Sequence, residues 1–343
     1  MTTTMSATAS MTMSETQHRA VLGAPVTQLP PGERPTVGPI AILPEATPAF
    51  TRAVTDAGGT LAPLSAATRG LVWLSYQRAG ELDRVLTENP QVGWVQLPWA
   101  GVDAFAGVLA AHARPGLTIT SAKGAYAQPV AEHALALTLA LMRVLPKRAR
   151  AREWDPVPDG RSLYRANIVI IGAGGIAREL IRLLAPFDTR ITVVRRSSEP
   201  VAGAARTVTS EQLAAVLPGA DVLVVAAALT TGTRHLIGAP ELSLLPAHAR
   251  LVNIARGGLV DTSALVAALA TGAIAGAALD VTDPEPLPAG HPLWSEARCL
   301  ITPHMADTPE MTAPLLAERI RLNVRAYLMT GRFVGVVDPR FGY

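Results

Sequence analysis

A chain of 343 residues with a single cysteine, Cys299, and only two lysines, Lys123 and Lys147, is poor in several of the groups that define common protein classes. One thiol excludes a disulfide framework and any multi-cysteine metal site. No two histidines stand at metal-ligand spacing with a nearby acid, so no metal is expected. No segment reaches the roughly 18 uncharged apolar residues that a membrane-spanning helix needs. The most apolar helical stretch, Ala131–Leu145, is broken by Glu132, His133 and Arg143. What is present suffices for a core: hydrophobic residues make up 49%, charged residues 17%, and the mean hydropathy is +0.28. Global disorder is thereby excluded, and the length fits two ordinary domains. The expectation is a soluble, cytoplasmic protein.

The net charge is +3 and the isoelectric point about 9.3, with a basic side that is nearly all arginine. Aromatic residues make up only 4% of the chain. The basic run Lys147, Arg148, Arg150, Arg152 has no neighbouring aromatics, so it reads as a solvated surface and no nucleic-acid partner is expected. Residues 1–35 are rich in Ser, Thr and Met, then in Pro, without helical or strand periodicity. They lack the apolar core of a secretory signal and carry only Arg19 and Arg34. They read as a disordered tail, or as leader sequence ahead of a start at Met5, Met11 or Met13.

Beyond the tail, short β-branched runs alternate with longer helical patterns. Pro39–Leu43, Leu71–Leu74, Val92–Leu97 and Leu117–Thr120 form one series of strands. Ile168–Ile171, Ile191–Val194, Val222–Ala226, Leu251–Ile254, Ala275–Leu279 and Leu300–Thr302 form a second. Such alternation implies parallel sheets covered on both faces. The fold class is therefore α/β, with two Rossmann-like domains, the second a doubly wound dinucleotide-binding domain. The expected boundaries are a tail at 1–35, a substrate-binding domain at 36–129 plus 310–343, and the dinucleotide domain at 130–309. Helices are expected over Val130–Leu145 and Pro309–Thr330, and a loop over Glu153–Arg161.

The strand Ile168–Ile171 runs into Gly172-Ala-Gly174-Gly175-Ile176-Ala177, a GxGxxA turn followed by a helical pattern. Gly172 permits the tight turn, Gly174 allows a pyrophosphate to approach the helix N-terminus, and Ala177 is small enough for helix–strand packing. At the end of the next strand, an enzyme using NAD usually carries an acid that grips the ribose 2′-hydroxyl. Here stand Arg195, Arg196 and Ser197, a pair of guanidinium groups and a hydroxyl suited to a 2′-phosphate. NADP(H) is favoured over NAD(H).

Three later segments each end a strand of the same domain: Asn253-Ile254-Ala255-Arg256, Asp280 to Glu285, and Thr302-Pro303-His304. They offer a cation, a carboxylate and an imidazole. Hydride transfer to a 2-keto acid needs these three: a cation for the substrate carboxylate, a proton donor for the forming alkoxide, and an acid that keeps the donor protonated. Among the seven histidines, His304 alone ends a buried strand. His18 lies in the tail, His112, His235 and His248 in surface segments, His133 within a helix, and His291 in a turn. Asp283 beside Pro284 reads as a solvated loop acid.

In these segments, and in Leu97-Pro-Trp-Ala-Gly101-Val-Asp103, Val130-Ala-Glu132-His133 and His291-Pro-Leu-Trp294, the chain resembles the D-isomer-specific 2-hydroxyacid dehydrogenases over about residues 37–330. The resemblance implies that Arg256 binds and polarises the substrate, that Glu285 partners the histidine, and that His304 is the general acid and base. It places Asp280 at the nicotinamide carboxamide, and Trp99, Ala100 and Gly101 at the substrate carboxylate. Further cofactor contacts are implied for Gly175, Ile176, Leu229, Thr230, Ile254, Ala255 and Ala306. The implied activity is reduction of glyoxylate, hydroxypyruvate or a similar 2-keto acid, by a homodimer. Phosphoglycerate dehydrogenase-like activity with NAD is the alternative, as is a non-catalytic dinucleotide sensor, against which the intact Arg256, Glu285 and His304 set argues. The chain departs from the family pattern at Ala177, at the missing proline before Leu229-Thr230, at Thr282, at Ala306-Asp307, and at Trp99, where a small residue is typical.

Overall fold

The computed structural model describes residues 26–338. Its strands are β1 (Val26–Gln28), β2 (Ile40–Leu43), β3 (Gly70–Trp73), β4 (Trp94–Gln96), β5 (Thr118–Thr120), β6 (Asn167–Ile171), β7 (Arg190–Arg195), β8 (Arg206–Thr209), β9 (Val222–Val225), β10 (Arg250–Asn253), β11 (Gly276–Leu279), β12 (Cys299–Ile301) and β13 (Arg332–Val334). The helices of eight residues or more are α1 (Pro48–Thr55), α2 (Ala79–Glu88), α3 (Ala127–Met142), α4 (Gly175–Leu184), α5 (Thr262–Thr271) and α6 (Pro309–Arg325). Two compact units emerge, one from residues up to Tyr126 together with Pro309 onward, the other Ala127–Thr308.

The first unit holds a parallel four-stranded sheet in the order β2-β3-β4-β5. Leu71, Trp73, Val95 and Leu97 pack with Leu82 and Leu86 of α2 and with Phe105 into its core. The expectation of an unstructured tail up to residue 35 fails at its end. Val26–Gln28 pairs antiparallel with β13, and Pro31–Glu33 forms a short 3-10 helix. Three residues are too few to show a period, and the partner lies some 300 positions away. The rest of the tail lies outside the described residues.

The second unit is a parallel seven-stranded sheet in the order β12-β11-β10-β9-β6-β7-β8. Strands β9, β10 and β11 are buried at every position, which explains the unbroken apolar runs of β9 and β11. The order of strand addition reverses between β6 and β9, the switch point at which open α/β sheets bind ligands at their carboxyl edge. Helix α3 packs along α4 and ends at Met142 rather than Leu145, because Val144 takes a left-handed conformation at φ 56°. The expected last helix is α-helical to Arg325 and closes with a π-helical turn, Ala326–Thr330. Strand β8 is an addition: as an edge strand with only Val208 buried, it has almost no apolar signal.

Candidate active site

The carboxyl edge of the seven-stranded sheet gathers most of the residues that the sequence singles out. Gly172 leaves β6 at φ +110°, and a Cβ there would stand 2.4 Å from the Ala226 carbonyl oxygen, so only glycine fits the turn. Gly174 is the N-cap of α4, without a side-chain cap, and a Cβ on it would meet nothing within 4 Å. Open space therefore fronts the uncapped N–H groups of Gly175, Ile176 and Ala177, the surroundings a pyrophosphate requires. Ala177 is fully buried against the sheet, as its packing role demands. These residues fit a dinucleotide.

At the end of β7, Arg195 donates from Nη1 to the Glu199 carboxylate at 3.4 Å and to the Glu199 carbonyl at 3.3 Å. Arg196 and Ser197 are exposed on the turn that follows. The Arg195–Glu199 pair escapes sequence reasoning, because an acid four residues further on in a turn has no pattern. Leu229 and Thr230 follow β9, where the Thr230 amide donates to Thr233 Oγ1 at 2.8 Å. Ile254 and Ala255 follow β10, Asp280 follows β11, and Ala306 follows β12.

The turn that carries Arg256 is shaped by Asn253, a polar side chain fully buried at the end of an apolar strand. Its Oδ1 accepts from the Ala255 amide at 3.1 Å, and its Nδ2 donates to the Arg256 carbonyl at 2.9 Å. Gly257 follows so closely on the Thr282 loop that a Cβ would lie 1.9 Å from the Thr282 carbonyl. That contact brings Arg256 beside the Glu285 loop, where its charge adds to the lowering of the Glu285 pKa that the His304 hydrogen bond causes, and opposes the rise of the His304 pKa. Arg256 Nη1 itself donates to the Ala255 carbonyl at 2.8 Å.

His304 stands in the left-handed region at φ 54°, held by its amide to the carbonyls of Asp280 at 2.7 Å and Thr302 at 2.8 Å. Histidine tolerates this region better than most residues, and such strain concentrates at functional sites. Nδ1 lies 2.7 Å from Glu285 Oε1. An ionised carboxylate only accepts, so Nδ1 carries the proton and Nε2 is left to exchange one. The Glu285 hydrogen bond raises the His304 pKa above its ordinary value against burial and Arg256, and the same bond lowers that of Glu285. Asp283, read from sequence as a solvated loop acid, is partly exposed and pairs with Arg234 at 3.0 Å.

Asp280 is 2% exposed. Burial alone would raise its pKa, but hydrogen bonds from His133, Thr302 and the Met305 amide outweigh it and the net shift is downward. Its carboxylate accepts from Thr302 Oγ1 at 2.7 Å and from the amides of Met305 at 2.9 Å and Ala306 at 3.1 Å. His133 Nε2 lies 2.9 Å from Thr302 Oγ1 and 3.5 Å from Asp280 Oδ1. Sequence reading takes His133 as a helix residue and gives Thr302, within the His304 segment, no role of its own; their spacing of 169 residues offers no local signal. Asp307, nearby, has its pKa pushed up by burial.

In the first unit, Trp99, Ala100 and Gly101 lie on the loop after β4, at the carboxyl edge of the small sheet. Trp99 is half-buried among Tyr76, with ring centroids 5.5 Å apart, and Tyr126, at 6.3 Å. The bulk that departs from the family pattern is thus accommodated in an aromatic cluster. Among the described residues no group of acids, histidines and cysteine could hold a metal ion, and no helix is long and apolar enough to cross a membrane.

The family description "D-isomer specific 2-hydroxyacid dehydrogenase, NAD binding domain" matches residues 134–306. An uncharacterized protein in the proB 3′ region of Corynebacterium melassecola is 38% identical over 265 residues, covering 75% of this chain and 85% of that relative. A glyoxylate reductase of Thermococcus gammatolerans is 33% identical over 225 residues, 62% of this chain and 67% of its own. Among solved structures, a D-isomer specific 2-hydroxyacid dehydrogenase from Xanthobacter autotrophicus, in complex with NADPH and MES, aligns with a TM-score of 0.77 at 27% identity. That alignment covers 90% of this chain and 100% of the other. With the parallel sheets and nucleotide turn described above, these likenesses establish that the chain belongs to the D-isomer-specific 2-hydroxyacid dehydrogenases, NAD(P)-dependent oxidoreductases.

Proposed function

We propose that the protein is an NADP(H)-dependent reductase of small 2-keto acids, with glyoxylate and hydroxypyruvate as the leading substrates. The observation that carries the reading is the 2.7 Å contact between His304 Nδ1 and Glu285 Oε1 beside the Arg256 guanidinium. Arg256 binds the substrate carboxylate and draws electron density toward the keto oxygen. His304, protonated and held by Glu285, donates its Nε2 proton to that oxygen as negative charge develops there. In the oxidative direction, neutral His304 takes the hydroxyl proton back. In the same reading the backbone of Trp99, Ala100 and Gly101 binds the substrate carboxylate. The Gly172–Ala177 turn would hold NADPH, which when bound would supply the hydride.

Arg196 and Ser197, on the exposed turn after β7, support the choice of NADP(H), as does the NADPH held by the Xanthobacter relative. In this reading Asp280 meets the nicotinamide carboxamide. The chain works as a homodimer in the same reading, which sedimentation would test. The decisive experiment is a panel of 2-keto acids assayed with NADPH and NADH in parallel, following absorbance. Consumption of NADPH with glyoxylate supports the proposal. Tight dinucleotide binding without turnover of any keto acid would mark a sensor instead.

A further inference from the structure

Three consecutive carbonyls at the head of the Trp99–Gly101 loop are each taken by a specific donor. Leu97 O accepts from Gln96 Nε2 at 2.8 Å, Pro98 O from the Tyr126 hydroxyl at 2.5 Å, and Trp99 O from the Ala122 amide at 3.0 Å. In a trans peptide, the carbonyl of one residue and the N–H of the next point in opposite directions in one plane. Fixing Pro98 O and Trp99 O therefore fixes the N–H groups of Trp99 and Ala100, and aims them away from Tyr126 and Ala122. Donors whose direction is set beforehand need no reordering when an anion arrives.

Beneath this loop lies a charge that the first unit does not neutralise. Arg319 of α6 is 0% exposed, and its Nη1 donates to the carbonyls of Ser121 at 2.8 Å and Lys123 at 2.9 Å, the residues that flank Ala122. Its Nε and Nη2 are buried without a hydrogen-bond partner, and no ion pair with it forms among the described residues. Burial pushes its pKa down to about 10, so the guanidinium stays charged at neutral pH. A buried cation without a counter-ion is costly, and its positive potential remains for an anion nearby.

We propose that Tyr126 and Arg319 are positioning residues for the keto acid carboxylate: Tyr126 fixes the direction of the Trp99 and Ala100 amides, and Arg319 supplies positive charge behind them. The inference rests on the reading above, in which this loop receives the carboxylate. It concerns affinity for the acid and not the proton or hydride steps, so it separates KM from kcat.

The test uses the full-length chain with Tyr126→Phe, which removes one hydroxyl and leaves the ring beside Trp99. Glyoxylate KM and kcat are measured at saturating NADPH, with NADPH affinity by fluorescence titration. The expected result is a KM raised about fivefold or more, the scale of one buried hydrogen bond, with kcat within twofold and NADPH affinity unchanged. Arg319→Lys keeps the charge and should raise KM several-fold less than Arg319→Met does. If Arg319→Met does not fold, Tyr126→Phe and Arg319→Lys decide. An unchanged KM in Tyr126→Phe, or a kcat that falls while KM holds, overturns the proposal alone. A wild-type protein that reduces no keto acid overturns the functional reading and this proposal with it.

Discussion

In the proposed reading the choice between NADPH and NADH turns on a few side chains at the end of β7, where Arg195 already has an acidic neighbour. The Arg195 side chain is 25% exposed and pairs with Glu199, whose carboxylate is 75% exposed, at 3.4 Å. Part of the Arg195 charge is thereby already answered. A hydrogen bond to a charged group contributes about 1.5–3 kcal/mol, and solvent exposure moves it to the low end of that range. Arg196→Ala should therefore weaken NADPH binding roughly tenfold, since about 1.4 kcal/mol is a factor of ten, and should leave NADH nearly untouched. Glu199→Gln should act in the opposite direction. An exposed ion pair is worth about 0.2–1 kcal/mol, so releasing Arg195 and removing a repelling carboxylate should improve NADPH affinity by up to about fivefold. The double change Arg195→Asp with Arg196→Ala should reverse the preference, because it repels the phosphate and offers an acceptor to the 2′-hydroxyl. The assay is dissociation constants and kcat/KM for both cofactors at saturating keto acid. A wild type that already prefers NADH, or an Arg196→Ala whose NADPH/NADH ratio moves less than about twofold, would refute the reasoning.

His304→Asn should lower kcat by about 10²–10⁴-fold with NADPH affinity nearly intact, as measured by steady-state kinetics and titration; a variant that keeps over half the wild-type kcat would reassign the proton donor. Glu285→Gln should move the high-pH fall of the reduction rate to lower pH. Reduction needs protonated His304, Glu285 raises the His304 pKa, and without that carboxylate the proton is lost at a lower pH. A pH–rate profile that does not move would break the proposed pairing. Gly172→Ala should cost at least about 1–3 kcal/mol from the backbone conformation alone, with the 2.4 Å approach to the Ala226 carbonyl adding to it. It should lower Tm in a thermal melt and weaken dinucleotide binding.

Local chemistry made much of this protein legible before its fold. The buried strands announce themselves because both their faces are covered, so Ile168–Ile171 and Val222–Val225 read as unbroken apolar runs. The turn at Gly172 is legible because only one residue type tolerates its φ and its close approach to Ala226. His304 stands out because a histidine closely following the apolar strand Cys299–Ile301 has few structural reasons to be there. Strands β1, β8 and β13 were not legible: each is short and lies at an edge, where partners rather than periodicity define it.

The sequence by itself determined the class of fold, the nucleotide turn, and the three segments that hold Arg256, Glu285 and His304, since each rests on residue types within a few positions of one another. Tertiary structure decided which acid meets the histidine. Asp283 and Glu285 are two residues apart in one loop, yet one pairs with Arg234 and the other with His304. It also joined His133 to Asp280 through Thr302, placed Arg319 under the Ser121–Lys123 backbone, and set Glu199 against Arg195. The physical reason is common to all four. A side chain's partner is fixed by the direction in which packed backbone aims it, and that direction comes from contacts between elements distant in the chain or from loop paths without a period.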